Sequence, residues 1–150
     1  MHPELSKRLV RLQLEEAFAE PDLFTDRVVL EEWAYPHLYL RFTTIEQRER
    51  FLHLELVNYD SQPAAIEAVD PVTRESLSAD DRMTRDGGQF PNHRLLGRPF
   101  LCVTGTRAYY LHESHRPQVT GERWESRRGD FRLVDLIQYA ARKFASGSWR

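Results

Sequence analysis

The stretch Phe51-Leu52-His53-Leu54-Glu55-Leu56-Val57-Asn58-Tyr59-Asp60-Ser61-Gln62-Pro63-Ala64-Ala65-Ile66-Glu67-Ala68-Val69 decides the fold. Its first seven residues alternate, with Leu52, Leu54 and Leu56 on one side of an extended chain and Phe51, His53, Glu55 and Val57 on the other. The all-leucine side belongs in a core. His53 and Glu55 then lie on the opposite side, as polar residues do in a sheet with one solvated face, and the pattern assigns them no role. Asn58 to Pro63 is turn chemistry, and Ala64 to Val69 is a short apolar strand closed by Asp70-Pro71.

Upstream, Asp26 to Trp33 and His37 to Thr43 are rich in Val, Leu, Tyr, Phe and Trp, and Ala34-Tyr35-Pro36 interrupts them as a turn does. These predict two further antiparallel strands and complete a meander of four. Ahead of them, Glu4 to Glu20 carries Leu5, Leu9, Val10, Leu14, Ala17 and Phe18 at spacings of three and four, which predicts a helix ended by Pro21. Downstream, Val72 to Leu96 is polar and aperiodic, Pro99 to His115 reads as a β-hairpin with its tip at Val103 to Arg107, and Arg116 to Gly129 is irregular. Asp130 is placed to cap a last helix whose apolar stripe is Leu133, Val134, Ile137, Ala140, Ala141 and Phe144, with Gly147 ending it. The expectation is one α+β domain over residues 1–150, an antiparallel meander sheet with N-terminal and C-terminal helices. Its core is expected from Leu9, Leu14, Phe18, Leu52, Leu54, Leu56, Ile66, Phe100, Leu133, Ile137 and Phe144.

Composition narrows the function classes. A formal net charge of −2 argues against general affinity for nucleic acid or an anionic membrane, since such binding is driven by phosphate neutralisation. No apolar run is long enough to span a bilayer, and Met1-His2-Pro3-Glu4 opens an amphipathic segment rather than a signal peptide. A single cysteine cannot form an internal disulfide, and the expected location is cytoplasmic. There is no βαβ alternation and no glycine-rich phosphate loop.

The chemistry-bearing residues concentrate between Pro99 and His115, which hold Cys102, His112, Glu113 and His115. Thiolate, imidazole and carboxylate are the common ligands of zinc, the candidate metal here, and a cysteine near histidines is also the raw material of a thiol nucleophile. A hairpin opposes the shared metal site. With the tip at Val103 to Arg107, His112 lies four residues beyond the position facing Cys102, roughly 13 Å at about 3.4 Å per residue. The remaining alternative is a buried cysteine acting as a small hydrophobe beside two solvated histidines. A hydrolase using His112 and His115 as acid and base is disfavoured, because Glu113 cannot face the same way as His112 in extended chain. Arg123 and Arg127 flank Trp124 and form a candidate partner-binding patch, with Trp124 as a lid on the core as the alternative.

The order helix, four-strand meander, long loop, then further helix resembles the ubiquitin-conjugating enzyme fold, and Phe51 to Val69 is similar to that fold's passage through a tyrosine-proline turn into its fourth strand. The block Arg98-Pro99-Phe100-Leu101-Cys102-Val103-Thr104-Gly105-Thr106-Arg107, with Tyr110-Leu111-His112-Glu113-Ser114-His115 and Trp124, resembles the predicted metal-binding CEHH family of bacterial ubiquitin-like conjugation operons. This resemblance implies an accessory of such a pathway, a non-catalytic conjugating-enzyme-like binding subunit holding zinc. The implied partners are a ubiquitin-like protein and its activating or conjugating enzyme. The alternative is an active conjugating enzyme forming a thioester on Cys102. Against it, Phe90-Pro91-Asn92-His93 only echoes the usual His-Pro-Asn element, and Leu101 and Val103 give the thiol apolar neighbours. Only Lys7 and Lys143 are lysines, a bias expected either from base composition or from work beside lysine-modifying enzymes.

Overall fold

The computed structural model describes residues 2–19, 28–77, 92–112 and 120–146. Helix α1 spans Pro3–Ala19, followed by strands β1 (Val28–Ala34), β2 (His37–Thr43), β3 (Glu49–Glu55) and β4 (Ala65–Val69). These pair antiparallel in the order β1-β2-β3-β4, the expected meander. The β2–β3 register sets Leu38 opposite Leu54 and Leu40 opposite Leu52, and β4 adds Ile66 opposite Leu54. Leu38, Leu40, Phe42, Leu52, Leu54, Ile66 and Ala68 are all buried, so the leucine face is the core face.

Helix α4 (Leu133–Ser146) closes the core with Leu133, Leu136, Ile137, Ala140 and Phe144, and α1 packs beside it through Val10 and Leu14. The buried stripe of α1 is narrower than its apolar pattern, running Ser6, Val10, Leu14 and Ala17. Phe18, expected in the core, is 41% exposed, because it falls to the side of that stripe. Leu9 is only partly buried against the cluster, while Phe100 is buried as expected.

Gln13 is the joint between α1 and the rest. Its side-chain oxygen accepts from the Leu133 backbone N–H at 3.0 Å and from the Tyr59 hydroxyl at 3.5 Å. The first N–H groups of a helix have no partner within it, so this contact caps α4 from a different helix. Asp130, expected as the cap, instead lies in a 3₁₀ turn (Arg128–Asp130) and binds Arg127. Tyr59 is fully buried beneath the β3–β4 turn, where the Ser6 hydroxyl donates to its carbonyl.

Of the hairpin expected over Pro99 to His115, the described part, Pro99 to His112, does not form one. A short hairpin lies just upstream instead, β5 (Asn92–His93) with β6 (Arg98–Pro99), and the expected return strand is a one-turn helix, α2 (Arg107–Leu111). Three features explain the difference. Gly105, at φ +97, is a position where a Cβ would meet Leu136 Cδ2 at 2.8 Å, so only glycine brings the chain this close to α4. Arg107 N–H then donates to the Ala64 carbonyl at 2.8 Å, and Thr106 caps α2 by accepting from Tyr109 N–H. Between α2 and α4 lie a 3₁₀ turn (Thr120–Glu122) and the four-residue helix α3 (Trp124–Arg127) in the stretch expected to be irregular.

Candidate functional site

Cys102 sits half-buried in the irregular stretch between β6 and the turn that starts α2, and burial pushes its thiol pKa up. His112 is the C-cap of α2, its backbone N–H donating to the Ala108 carbonyl at 3.1 Å. Its ring stacks on Phe100 at 5.2 Å between centroids and meets His93 edge-on at 5.1 Å. His93, within the stretch expected to be aperiodic, is buried, and both its ring nitrogens are engaged. Nδ1 accepts from the backbone N–H groups of Leu95 and Leu96, so Nε2 carries the proton and donates to the Ala108 carbonyl at 3.1 Å. That leaves His93 no lone pair for a metal.

Glu113 and His115 lie outside the described residues. Among the described residues no group of three His, Cys, Asp or Glu side chains is placed to share an ion, so Cys102 and His112 do not by themselves make a zinc site.

Trp124 is not an exposed aromatic. It is 4% exposed, its indole N–H donates to the Asp60 carbonyl at 2.9 Å, and its ring stacks on Phe131 at 6.0 Å and meets Tyr110 edge-on at 5.9 Å. Arg127 is held in ion pairs with Asp130 at 2.6 Å and Glu122 at 3.2 Å, whereas Arg123 is exposed. Beside Trp124 and Arg123, but without Arg127, lies a groove of about 510 Å³ whose walls include Pro63, Tyr110 and Leu111, with Arg107 and Arg123 as the cations and Glu125 as the carboxylate among the described residues that line it.

Arg107, which sequence reasoning missed, reaches this groove from the first position of α2. Its Nη1 donates to Glu55 Oε2 at 3.1 Å, while Nε and Nη2 are buried without an acceptor. A second cavity, of about 220 Å³, shares Arg107 but is lined by Glu55, Glu67 and Arg98 as well, so its charges compensate one another.

The solvent-side face of the sheet carries an unanticipated chain of contacts. His37 Nδ1 lies 3.0 Å from His53 Nε2, His53 Nδ1 lies 3.5 Å from Glu67 Oε1, and Glu67 pairs with Arg98 at 2.7 Å. Tyr39 stacks on His53 at 4.6 Å. The signal was the alternation itself, since the outer positions of adjacent strands meet across the ladder: Tyr39 faces His53, and His53 faces Glu67. Burial works to raise the Glu67 pKa, but His53, Ser76 and Arg98 outweigh it and hold the carboxyl below its ordinary value. The chain ties β2, β3 and β4 to β6, and it accounts for His53 and Glu67 structurally.

No helix among the described residues is long and apolar enough to cross a membrane. No protein-family model and no curated protein matches this chain.

Proposed function

We propose that this chain is a conjugating-enzyme-like accessory of a ubiquitin-like conjugation pathway, one that binds a partner enzyme or the ubiquitin-like protein and carries no thioester itself. The observation that carries the reading is the setting of Cys102. A thiol nucleophile needs a neighbouring base, a cation or a helix N-terminus to become thiolate, and here burial drives it the other way. Helix α1, the β1–β4 meander and a terminal helix over the leucine face supply the element order that the resemblance implies. The partner surface in this reading is the segment from Cys102 to Trp124, with Arg123 at its exposed rim.

Incubation with a cognate activating enzyme, ATP and the ubiquitin-like protein tests it. The expected result is association with the activating or conjugating enzyme and no reductant-sensitive adduct. An adduct that Cys102→Ser abolishes would instead make the chain an active conjugating enzyme, and loss of all association would remove the pathway assignment. Metal analysis of the same preparation tests zinc on Cys102, His112, Glu113 and His115, with Cys102→Ser expected to release it if it is there.

A further inference from the structure

We infer that His37 and His53 form a two-imidazole site for a divalent late transition metal, copper(II), on the solvent side of the sheet. This goes beyond the pathway reading and does not depend on it. The pair follows from the ladder. His53 lies opposite Tyr39, so His37 is its diagonal neighbour on the same face, within reach of long side chains. His37 Nδ1 and His53 Nε2 come to 3.0 Å of each other.

His53 is held as metal-ligating histidines are held. Its Nδ1 lies 3.5 Å from Glu67 Oε1, and Glu67 is fixed in turn by Arg98 at 2.7 Å. A carboxylate beside one ring nitrogen keeps the proton there and leaves the lone pair on the other, which is how an outer partner orients a ligand. Tyr39, stacked on the ring at 4.6 Å and 12°, fixes its plane. The Nε2 lone pair is thus aimed at His37 before any ion arrives. His37, exposed at the first position of β2, donates its Nδ1 proton to that lone pair. Moving this proton to His37 Nε2 turns Nδ1 into a second donor atom, with no proton gained or lost.

Spacing selects the ion. Two nitrogens 3.0 Å apart, each about 2.0–2.1 Å from one metal, subtend roughly 95°. That is the cis angle of square-based copper(II) or nickel(II) rather than the tetrahedral angle of zinc, and copper(II) is the tightest binder of the divalent series. The rings meet nearly end to end, 5.2 Å between centroids with planes 32° apart, so His37 tilts to bring both lone pairs onto one ion. Glu55 stands across from His37 in the ladder, but its Oε2 is engaged by Arg107. The remaining positions on the ion go to water or to a donor from a bound partner.

The test is copper(II) titration of the full chain, read by paramagnetic broadening of amide NMR signals and by nitrogen couplings in the copper EPR spectrum. The expected result is one saturable site with broadening centred on His37, Tyr39 and His53, two coupled imidazoles, and zinc at least tenfold weaker. His37→Ala, a change at an exposed position, should weaken copper at least tenfold and leave a single coupled imidazole. Glu67→Gln should weaken it about tenfold with both couplings kept. Should that variant unfold, His37→Ala decides alone. Broadening centred on His2 or another histidine, an affinity unchanged by His37→Ala, or no saturation below millimolar copper would mean an adventitious ion only and overturn the inference. Zinc bound as tightly as copper would overturn the choice of ion.

Discussion

The indole N–H of Trp124 donates to the carbonyl oxygen of Asp60 at 2.9 Å, across 64 residues of sequence. The bond joins the short helix α3 to the turn between β3 and β4, and it makes Trp124 a clamp over the turn rather than a free docking aromatic. Trp124→Ala is expected to cost about 3–5 kcal/mol in chemical denaturation, the usual penalty for emptying a buried tryptophan site. Trp124→Phe should cost less but still leave the Asp60 carbonyl without its donor. A thermal midpoint unchanged by Trp124→Ala would show the ring to be dispensable to the fold.

Gln13 predicts a second, smaller loss. Gln13→Ala removes the acceptor for the Leu133 N–H at the start of α4 and the partner of the Tyr59 hydroxyl. A helix cap is worth about 1 kcal/mol, and the buried tyrosine hydroxyl adds to it. Equilibrium denaturation should show a decrease of about 1–2 kcal/mol, and hydrogen exchange at the first turn of α4 should speed up more than in the β2–β3 ladder.

Glu67 predicts an acid-side dependence. Its folded pKa lies below the ordinary value of 4.5, so the unfolded chain binds the proton more tightly. Its contribution is present above that ordinary value and is lost as pH falls through the lower folded value. Glu67→Gln should therefore be less stable than the unaltered protein at pH 6 to 7, with the gap closing below about pH 4. Urea midpoints measured across that range check it, and a gap that stays constant would separate Glu67 from the titration.

Cys102 predicts the opposite sign. Burial raises its thiol pKa above the ordinary value of 9.0, so folding favours the protonated form. Its contribution is complete below that value and is lost as pH rises through the higher folded pKa. Iodoacetamide should alkylate Cys102 more slowly in the native protein at pH 7.5 than in denaturant, since thiolate is the reacting form. A native rate equal to or above the denatured one would mean an activated thiol and favour the thioester reading.

The four-stranded meander and both long helices were legible in the sequence because their signals are local. Alternation in Phe51 to Val57 and the three-and-four spacing in Leu133 to Phe144 fix which side of each element is apolar without reference to anything distant. Leu52, Leu54 and Ile137 are fully or almost fully buried for that reason. The region after Pro99 was not legible. An extended strand and a one-turn helix differ there by contacts with residues far along the chain: Gly105 against Leu136, Arg107 N–H to Ala64, and Trp124 to Asp60. Local propensity over five residues is too weak to decide between them, because a single helical turn gains few internal hydrogen bonds. The sequence by itself determined the layers, the leucine face and the neighbourhood in which chemistry-bearing residues collect. Only the tertiary structure decided which of them meet, since hydrogen bonds and packing between distant segments set where Trp124 turns inward, which edge of Arg107 is left without an acceptor, and that His53 lies between His37 and Glu67.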